Sequence, residues 1–264
     1  MKKTYTLYVM AMLGMILALG LVLTGCKQPT DEDEEIKEMK AGTPLSLNTW
    51  ATGELVAGGE HWYKFTATAA TQYIHVTPGT LTDVYVQLYN SAGNELGSSN
   101  HLGSSYPYNY YVSLSVVSGS MYYIKVWSYS SSRSGTYKIA FTTSATTPDE
   151  LAAIASAPTL IANTWANGAL APSGAQWFKF TATVEAQYVH FAIGTLTDVY
   201  VQLYNSAGNE LGSSNHLGSS YPYNYYVSLM VVSDTVYYIK VWPYSSSGSG
   251  TYKIAFNTST TAPS

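Results

Sequence analysis

The fold is decided by the segment GTLTDVYVQLYNSAGNELGSSNHLGSSYPYNYYVSL, residues 79–114, which recurs without a change as residues 194–229. Within it, Val84, Val86 and Leu88 alternate with polar or aromatic residues. A period of two is typical of a strand with one buried face. The glycine- and asparagine-containing stretch that follows favours a turn. Similar alternation continues on both sides of the segment, so the sequence predicts an all-β chain.

The duplication extends well beyond this segment. Residues 43–144 align with residues 158–259 at a constant offset of 115 and without a gap. A period of this length is too long for a solenoid repeat and fits two domains of about 100 residues each. We therefore predict two tandem antiparallel β-sandwiches of the jelly-roll type, followed by a short tail at residues 260–264.

The two copies are joined by a linker at residues 145–157. In it, Thr147 can cap a helix, Pro148 suits the first helical position, and Glu150 stands three residues after the cap. These signals predict a short helix over residues 148–155. No other part of the chain carries a comparable helix signal.

The N-terminal residues carry a targeting signal. Lys2 and Lys3 precede an uncharged apolar run that ends in Leu-Thr-Gly-Cys at residues 23–26. This junction resembles the lipobox of bacterial lipoproteins. The resemblance implies removal of residues 1–25 and lipidation of Cys26, and a plain membrane anchor is the alternative. Several acyl chains on Cys26 would hold the protein at the bacterial cell envelope, at the outer membrane or the cell surface.

A charged segment separates this signal from the first copy. Residues 26–42 contain an acidic run at Asp31–Glu35 and few apolar residues. Such a composition cannot bury a core, so we predict a flexible tether. A metal or partner site in the acidic run is the alternative.

Four short motifs occur in the same order in both copies. In the first copy they are HWYKF (61–65), DVYVQLY (83–89), YYIKV (122–126) and SGTY (134–137). In the second copy they are WFKF (177–180), LY (203–204), YYIKV (237–241) and SGTY (249–252). The motifs resemble the bacterial pre-peptidase C-terminal (PPC) domain, which is similar to the collagen-binding domains of clostridial collagenases. The resemblance implies a β-sandwich that often accompanies a secreted protease.

Some PPC domains bind calcium through carboxylates near the domain start. Here Glu54 and Glu60 are the carboxylates in that region, and the second copy has Ala169 and Ala175 instead. A calcium site shared by both copies is therefore not supported. The sequence predicts no metal site and no cofactor.

Composition and motifs exclude several classes of function. The formal net charge of −4 offers no basic surface for nucleic acid, and one cysteine excludes an intramolecular disulfide framework. The sequence contains no GxSxG, HExxH or P-loop motif. We therefore predict that the chain is not an enzyme.

The five histidines do not form an evident catalytic set. His75 and His190 lie in short strand patterns, where a hydrogen-bonded structural histidine is the favoured interpretation. His61 is replaced by glutamine in the second copy, so it cannot be essential to both. For His101 and His216, in the serine-rich loops, a metal or catalytic role is the minor alternative.

The tyrosine distribution is the strongest functional signal. The segment GSSNHLGSSYPYNYY at residues 97–111 recurs at residues 212–226. Aromatic rings on a stiff backbone present a large amphipathic area at little entropy cost, as binding surfaces do. The predicted ligand-binding residues are Tyr106, Tyr108, Tyr110 and Tyr111, with Tyr221, Tyr223, Tyr225 and Tyr226. Tyr85, Tyr89, Tyr122 and Trp127 would extend this surface if their strand faces are open. The alternative is that these rings only cover sheet faces.

These observations lead to one main hypothesis and two alternatives. The chain is predicted to be a lipid-anchored, non-catalytic binding protein that contacts an extended polymer, either a host matrix protein or a glycan. The second reading is a structural envelope lipoprotein without a specific ligand. The third is an accessory module for a separately encoded protease or hydrolase.

Overall fold

The computed structural model describes residues 31–102, 110–196, 198–217 and 225–264. Within these ranges, no helix is long and apolar enough to cross a membrane. The helices are α1 (Asp31–Ala41) and α2 (Pro148–Ala155). The strands of the first repeat are β1 (Thr43–Pro44), β2 (Ala51–Leu55), β3 (Glu60–Thr66), β4 (Thr71–Pro78), β5 (Val84–Tyr89), β6 (Glu95–Leu102), β7 (Tyr110–Ser115), β8 (Met121–Ser128) and β9 (Gly135–Thr142). Those of the second repeat are β10 (Ala166–Leu170), β11 (Gln176–Thr181), β12 (Ala186–Ile193), β13 (Val199–Tyr204), β14 (Glu210–Leu217), β15 (Tyr225–Met230), β16 (Val236–Pro243) and β17 (Gly250–Asn257).

Each repeat folds into two sheets. In the first repeat the strand orders are β1-β3-β8-β5-β6 and β2-β9-β4-β7. In the second repeat they are β11-β16-β13-β14 and β10-β17-β12-β15. All pairings between these strands are antiparallel except that of β1 with β3. The predicted all-β sandwich fold is confirmed.

The core of each sandwich comes from the alternating apolar positions. Val84, Val86 and Leu88 are all less than 4% exposed and belong to one cluster with residues of both sheets. Tyr137 and Ile139 in β9 contribute from the other sheet and are fully buried. The second repeat repeats this arrangement with an equivalent cluster. Burial of one face therefore fixes the register of each strand.

Helix α1 differs from the flexible tether that the composition predicted. Its exposed residues include an ion pair between Glu34 and Lys37, one turn apart at 3.6 Å. Near its end, Met39 is only 2% exposed and clusters with Trp62 and Tyr123. Burial of Met39 fixes this end of the helix. The contribution of a single apolar residue does not show in the average composition of the segment.

Helix α2 has the predicted residues and begins with a complete capping box. The Thr147 side chain accepts from the Glu150 amide, and the Glu150 carboxylate accepts from the Thr147 amide. Ile154 is 6% exposed and clusters with Trp177 and Tyr204. At the repeat offset, Ile154 corresponds to Met39. Met39 and Ile154 therefore make equivalent contacts with the sandwich that follows each of them.

Within three residues, the chain is hydrogen-bonded first to the first repeat at Ser144, its last residue, and then to the second repeat at Thr146 of the linker. The Ser144 carbonyl lies 3.4 Å from His75 Nε2 in the first repeat. The Thr146 hydroxyl donates to the Gly208 carbonyl in the second repeat. Ser144 and Thr146 are each less than 5% exposed. The connection between the two sandwiches is therefore short and hydrogen-bonded at both ends.

Candidate binding surface

The structure places a stack of three aromatic residues on the outer side of one sheet in each repeat. We call it the aromatic strip: Tyr85, Trp127 and Tyr129 in the first repeat, and Tyr200, Trp242 and Tyr244 in the second. Tyr85 and Trp127 are cross-strand partners in the adjacent strands β5 and β8. Tyr129 follows two residues after Trp127, so the strand period puts both on the same side.

The ring geometry of the strip is nearly the same in the two repeats. Tyr85 stacks on Trp127 with centroids 5.3 Å apart and planes at 27°, and Tyr129 lies 5.6 Å from Tyr85 at 37°. In the second repeat the corresponding values are 5.5 Å and 30°, then 5.4 Å and 41°. These spacings lie in the range of favourable aromatic pairs.

The outer tyrosine of each strip is exposed to solvent. Tyr129 is 56% exposed and Tyr244 is 54% exposed. Their strip partners in β5, β8, β13 and β16 are half-buried. None of the six residues belongs to the buried clusters between the sheets. The strip is therefore a surface feature rather than a part of the core.

A backbone hydrogen bond holds the outer tyrosine in place. The Tyr129 amide donates to the Asp83 carbonyl at 3.3 Å, and the Tyr244 amide donates to the Asp198 carbonyl at 3.2 Å. Because each aspartate precedes the strand that carries the middle ring, this bond brings the outer ring beside it. The backbone carbonyls of the two aspartates thus take part in equivalent loop contacts.

Charged groups near the first strip are paired. Lys125 Nζ lies 2.8 Å from Glu60, and Arg133 Nη1 lies 3.3 Å from Asp83. Lys125 also lies 5.2 Å from the ring centroid of Trp62, a cation–π contact.

The second repeat pairs its lysine differently. Lys240 forms an ion pair with Glu150 of α2 and lies 5.4 Å from the Trp242 ring centroid. The position of Glu60 is taken by Ala175, and that of Arg133 by Gly248. The two repeats therefore share the aromatic rings, the neighbouring lysine and the aspartate before the strip, but not the counterparts of Glu60 and Arg133.

The structure does not describe the side chains of most of the predicted loop tyrosines. Tyr106, Tyr108, Tyr221 and Tyr223 fall outside the described residues. Tyr110 and Tyr225 are the first residues of β7 and β15, and only their backbone is described. A ligand-binding role for these residues stays a prediction.

Tyr111 and Tyr226 are described, and both are about half exposed, at 47% and 45%. Each lies on the sheet opposite the strip. Tyr111 contacts Tyr73 edge-on, with centroids 5.4 Å apart, and is tilted against His75 at 5.7 Å. The second repeat repeats both contacts.

Two residues expected to extend the surface are buried instead. Tyr89 is 8% exposed and packs on Trp62, with centroids 5.0 Å apart. Tyr122 is 7% exposed, and its hydroxyl accepts from the Val117 amide. The prediction was wrong for these two, because Met39 clusters with Trp62 and Tyr89, and Tyr122 belongs to the core between the sheets. Tyr129 was not predicted, although its two-residue spacing from Trp127 places both on the same side of an extended chain.

The buried histidines have structural partners, as predicted. His75 Nε2 lies 2.8 Å from the Thr142 hydroxyl, and His190 Nε2 lies 2.8 Å from the Asn257 side-chain oxygen. Both histidines are fully buried. Burial lowers the pKa of His75 to about 4, and the Ser144 carbonyl opposes this only in part.

The first repeat has a hydrogen-bonded network that the second repeat simplifies. His61 Nδ1 and the Tyr63 hydroxyl lie 2.9 and 2.8 Å from the Tyr137 hydroxyl. Burial lowers the pKa of His61 and raises that of Tyr137. In the second repeat Tyr252 donates to Gln176 at 2.9 Å. His61 therefore supports a buried tyrosine, a role that glutamine can also perform.

The described residues contain no group of three or more histidine, cysteine, aspartate or glutamate side chains placed to hold a metal. In the region where the resemblance implies calcium, Glu60 is paired with Lys125 and accepts from the Trp62 indole at 3.1 Å. The Glu60 carboxylate is therefore engaged with side chains of its own sheet.

Comparison with known proteins gives similarity at the level of fold. The chain is similar to the pre-peptidase C-terminal domain of a collagenase from Bacillus anthracis, at 21% identity over 38% of this chain and 93% of that chain, with a TM-score of 0.28. A protein from Eubacterium rectale described as secreted matches at 12% identity over 88% and 84%, with a TM-score of 0.31. The N-terminal CBM22 tandem domain of Xyn10C from Paenibacillus barcinonensis matches at 8% identity over 80% and 86%, with a TM-score of 0.23.

No protein-family model matches the chain, and no curated protein matches its sequence. At such identities and TM-scores, the structural similarity carries no argument about a ligand.

Proposed function

We propose that this chain is a non-catalytic binding protein, anchored to the bacterial cell envelope by lipid on Cys26, that contacts an extended polymer through its aromatic surfaces. The observation that carries the proposal is the aromatic strip, present in both repeats with nearly the same geometry and with an outer tyrosine more than half exposed.

The exposed outer rings of the strip contribute little to the stability of the fold and are available for binding. Tyr129 and Tyr244 bury less than half of their surface, so they gain little from the folded state. Tyrosine and tryptophan are also the residues that most often dominate binding energy at interfaces. The strip offers both types side by side on strands that are rigidly paired in the centre of a sheet.

The predicted loop tyrosines follow in sequence a strand that is paired beside the strip. Leu102, the last residue of β6, pairs with Val84, the neighbour of Tyr85 in β5. Residues 103–109, which include Tyr106 and Tyr108, follow Leu102 in the chain and lie outside the described residues. The proposal includes these tyrosines as further contacts for the same ligand.

Two sites on one chain favour a polymer as the ligand. Ser144, the last residue of the first repeat, is hydrogen-bonded to His75, and two residues later Thr146 of the linker is hydrogen-bonded to Gly208 of the second repeat. A short, docked connection keeps the second site close once the first is occupied. Linked weak sites can raise the overall affinity by roughly 10²–10⁴ when one ligand reaches both.

The anchoring half of the proposal is supported by the lipobox-like junction before Cys26 and by the charged segment after it. The PPC-like motifs support an extracytoplasmic binding domain. An accessory role for a separate protease or hydrolase is compatible with the same surface, whereas a purely structural lipoprotein needs no exposed strip.

A binding screen with the full-length protein tests the proposal. Purified protein is incubated with immobilised matrix proteins and insoluble glycans, and the bound fraction is measured. We expect wild-type protein to bind at least one polymer and the double variant Tyr129→Ala/Tyr244→Ala to bind at least about tenfold more weakly. The control is Val117→Ala/Val232→Ala, which changes one exposed apolar residue in each repeat away from the strip. Equal loss in both variants, or no binding by wild type, would contradict the proposal.

A further inference from the structure

We infer that the polymer is a neutral glycan whose sugar rings pack on the aromatic strip. This inference rests on the proposed function and names the chemical class of its ligand. Three properties of the strip support it: its charge, its area and its backbone pairing.

The charge around the strip argues against an ionic ligand. In the first repeat Lys125 is neutralised by Glu60, and in the second repeat Lys240 is neutralised by Glu150. Arg133 is paired with Asp83 and has no counterpart in the second repeat. Beside this paired lysine the two repeats share one aspartate, at Asp83 and Asp198, so the uncharged rings are the larger part of what both strips offer a ligand.

The area of the strip argues against a folded protein. A stable interface buries about 800 Å² on each partner, whereas a fully buried tyrosine or tryptophan contributes only about 150–250 Å². Of the three rings in each strip, only the outer one is more than half exposed. A strip can thus cover a short stretch of a linear polymer but not a protein face.

The position of the strip argues against an extended peptide. Strands β5 and β8 lie in the interior of their sheet, where β5 pairs with β6 and β8, and β8 pairs with β3 and β5. A peptide laid across them finds no free strand edge to extend. Its amides would face aromatic rings, and groups buried without a hydrogen bond cost free energy.

A sugar ring needs no free strand edge, and it does not bury amide groups against the aromatic rings. Its C–H groups form an apolar face that can pack on Tyr129 or Tyr244, while its hydroxyl groups project from the rim toward solvent. A glycan chain repeats this unit at regular intervals, and the chain here repeats the strip. A repeating neutral ligand therefore suits a duplicated neutral site.

The test measures binding isotherms of the full-length protein in a detergent without a sugar headgroup. The probes are the neutral polysaccharides cellulose, chitin and mannan, the acidic polysaccharide heparin, and gelatin as an extended protein chain. We expect binding to at least one neutral polysaccharide, with a Kd that changes less than about twofold between 50 and 500 mM NaCl, because unpaired charges are not involved.

Variants at the outer tyrosines give the second readout. Tyr129→Ala/Tyr244→Ala should weaken binding by at least about tenfold, and Tyr129→Phe/Tyr244→Phe should keep most of it because the ring remains. The phenylalanine variant also shows whether a loss reflects the missing ring or a damaged fold.

The possible outcomes separate the inference from the proposed function. Binding to gelatin but to no neutral polysaccharide would overturn the inference and leave the proposed function standing. Binding to heparin alone, falling steeply with salt, would overturn it in favour of ionic recognition. Absence of binding to every polymer would overturn both.

Discussion

Acidification should destabilise the first repeat through His75. This histidine is fully buried, and its Nε2 atom lies 2.8 Å from the Thr142 hydroxyl and 3.4 Å from the Ser144 carbonyl. Its pKa falls from 6.5 to about 4, mainly because burial disfavours the charged imidazolium, while the Ser144 carbonyl and the charge of Glu150 act in the opposite direction.

The sign and size of the effect follow from this pKa. Between pH 6.5 and about 4, the unfolded chain binds a proton at His75 that the folded chain does not bind. Stability is therefore complete above pH 6.5 and is lost as the pH falls through this window. The full difference amounts to about 3 kcal/mol, a large part of the stability of a typical domain.

Denaturation by urea at pH 7 and at pH 4 measures this loss. The matched control is His75→Gln, whose amide nitrogen can reach the Thr142 hydroxyl but does not titrate. We expect the wild type to lose about 3 kcal/mol more than the control between the two pH values. Parallel losses in both proteins would show that His75 is not the source and would refute the reasoning.

Three further predictions concern other parts of the chain. His61→Gln together with Tyr63→Phe should lower the free energy of unfolding by less than about 1 kcal/mol in urea denaturation, because the second repeat has glutamine and phenylalanine at these positions. A loss above about 3 kcal/mol would contradict this. Ile154→Ala should cost about 2–5 kcal/mol, because α2 loses its buried contact with Trp177, and an unchanged Tm would show that α2 is not docked. Cys26→Ser should abolish labelling with radioactive palmitate and retention of the processed protein in membranes; retention with an uncleaved signal would indicate a transmembrane anchor.

The sandwich fold could be predicted because it depends on a pattern that one strand displays by itself. Alternation at Val84, Val86 and Leu88 marks a buried face without knowledge of the partner strand. The capping residues of α2 are equally local. Helix α1 escaped prediction because its docking depends on Met39 meeting Trp62 and Tyr123, which lie far away in the sequence.

The candidate site could be predicted only in part. The richness in tyrosine is visible in the sequence, but exposure is decided by what covers each sheet face. Tyr89 and Tyr85 occupy the same side of β5, yet Tyr89 is packed against Trp62 near α1 and Tyr85 forms part of the strip. Periodicity alone cannot separate such neighbours, since both obey the same alternation.

The central claim is that the aromatic strips contact the ligand, and indole NMR signals test it most directly. The chain contains six tryptophans. Trp127 and Trp242 lie in the strips. Trp62 and Trp177 are 7% and 6% exposed and cluster with Met39 and Ile154, respectively. With ¹⁵N-labelled full-length protein and a soluble oligosaccharide of whichever polysaccharide binds, the account predicts that the indole signals of Trp127 and Trp242 shift on titration while those of Trp62 and Trp177 stay in place. Saturable binding that leaves both strip signals unmoved would contradict it.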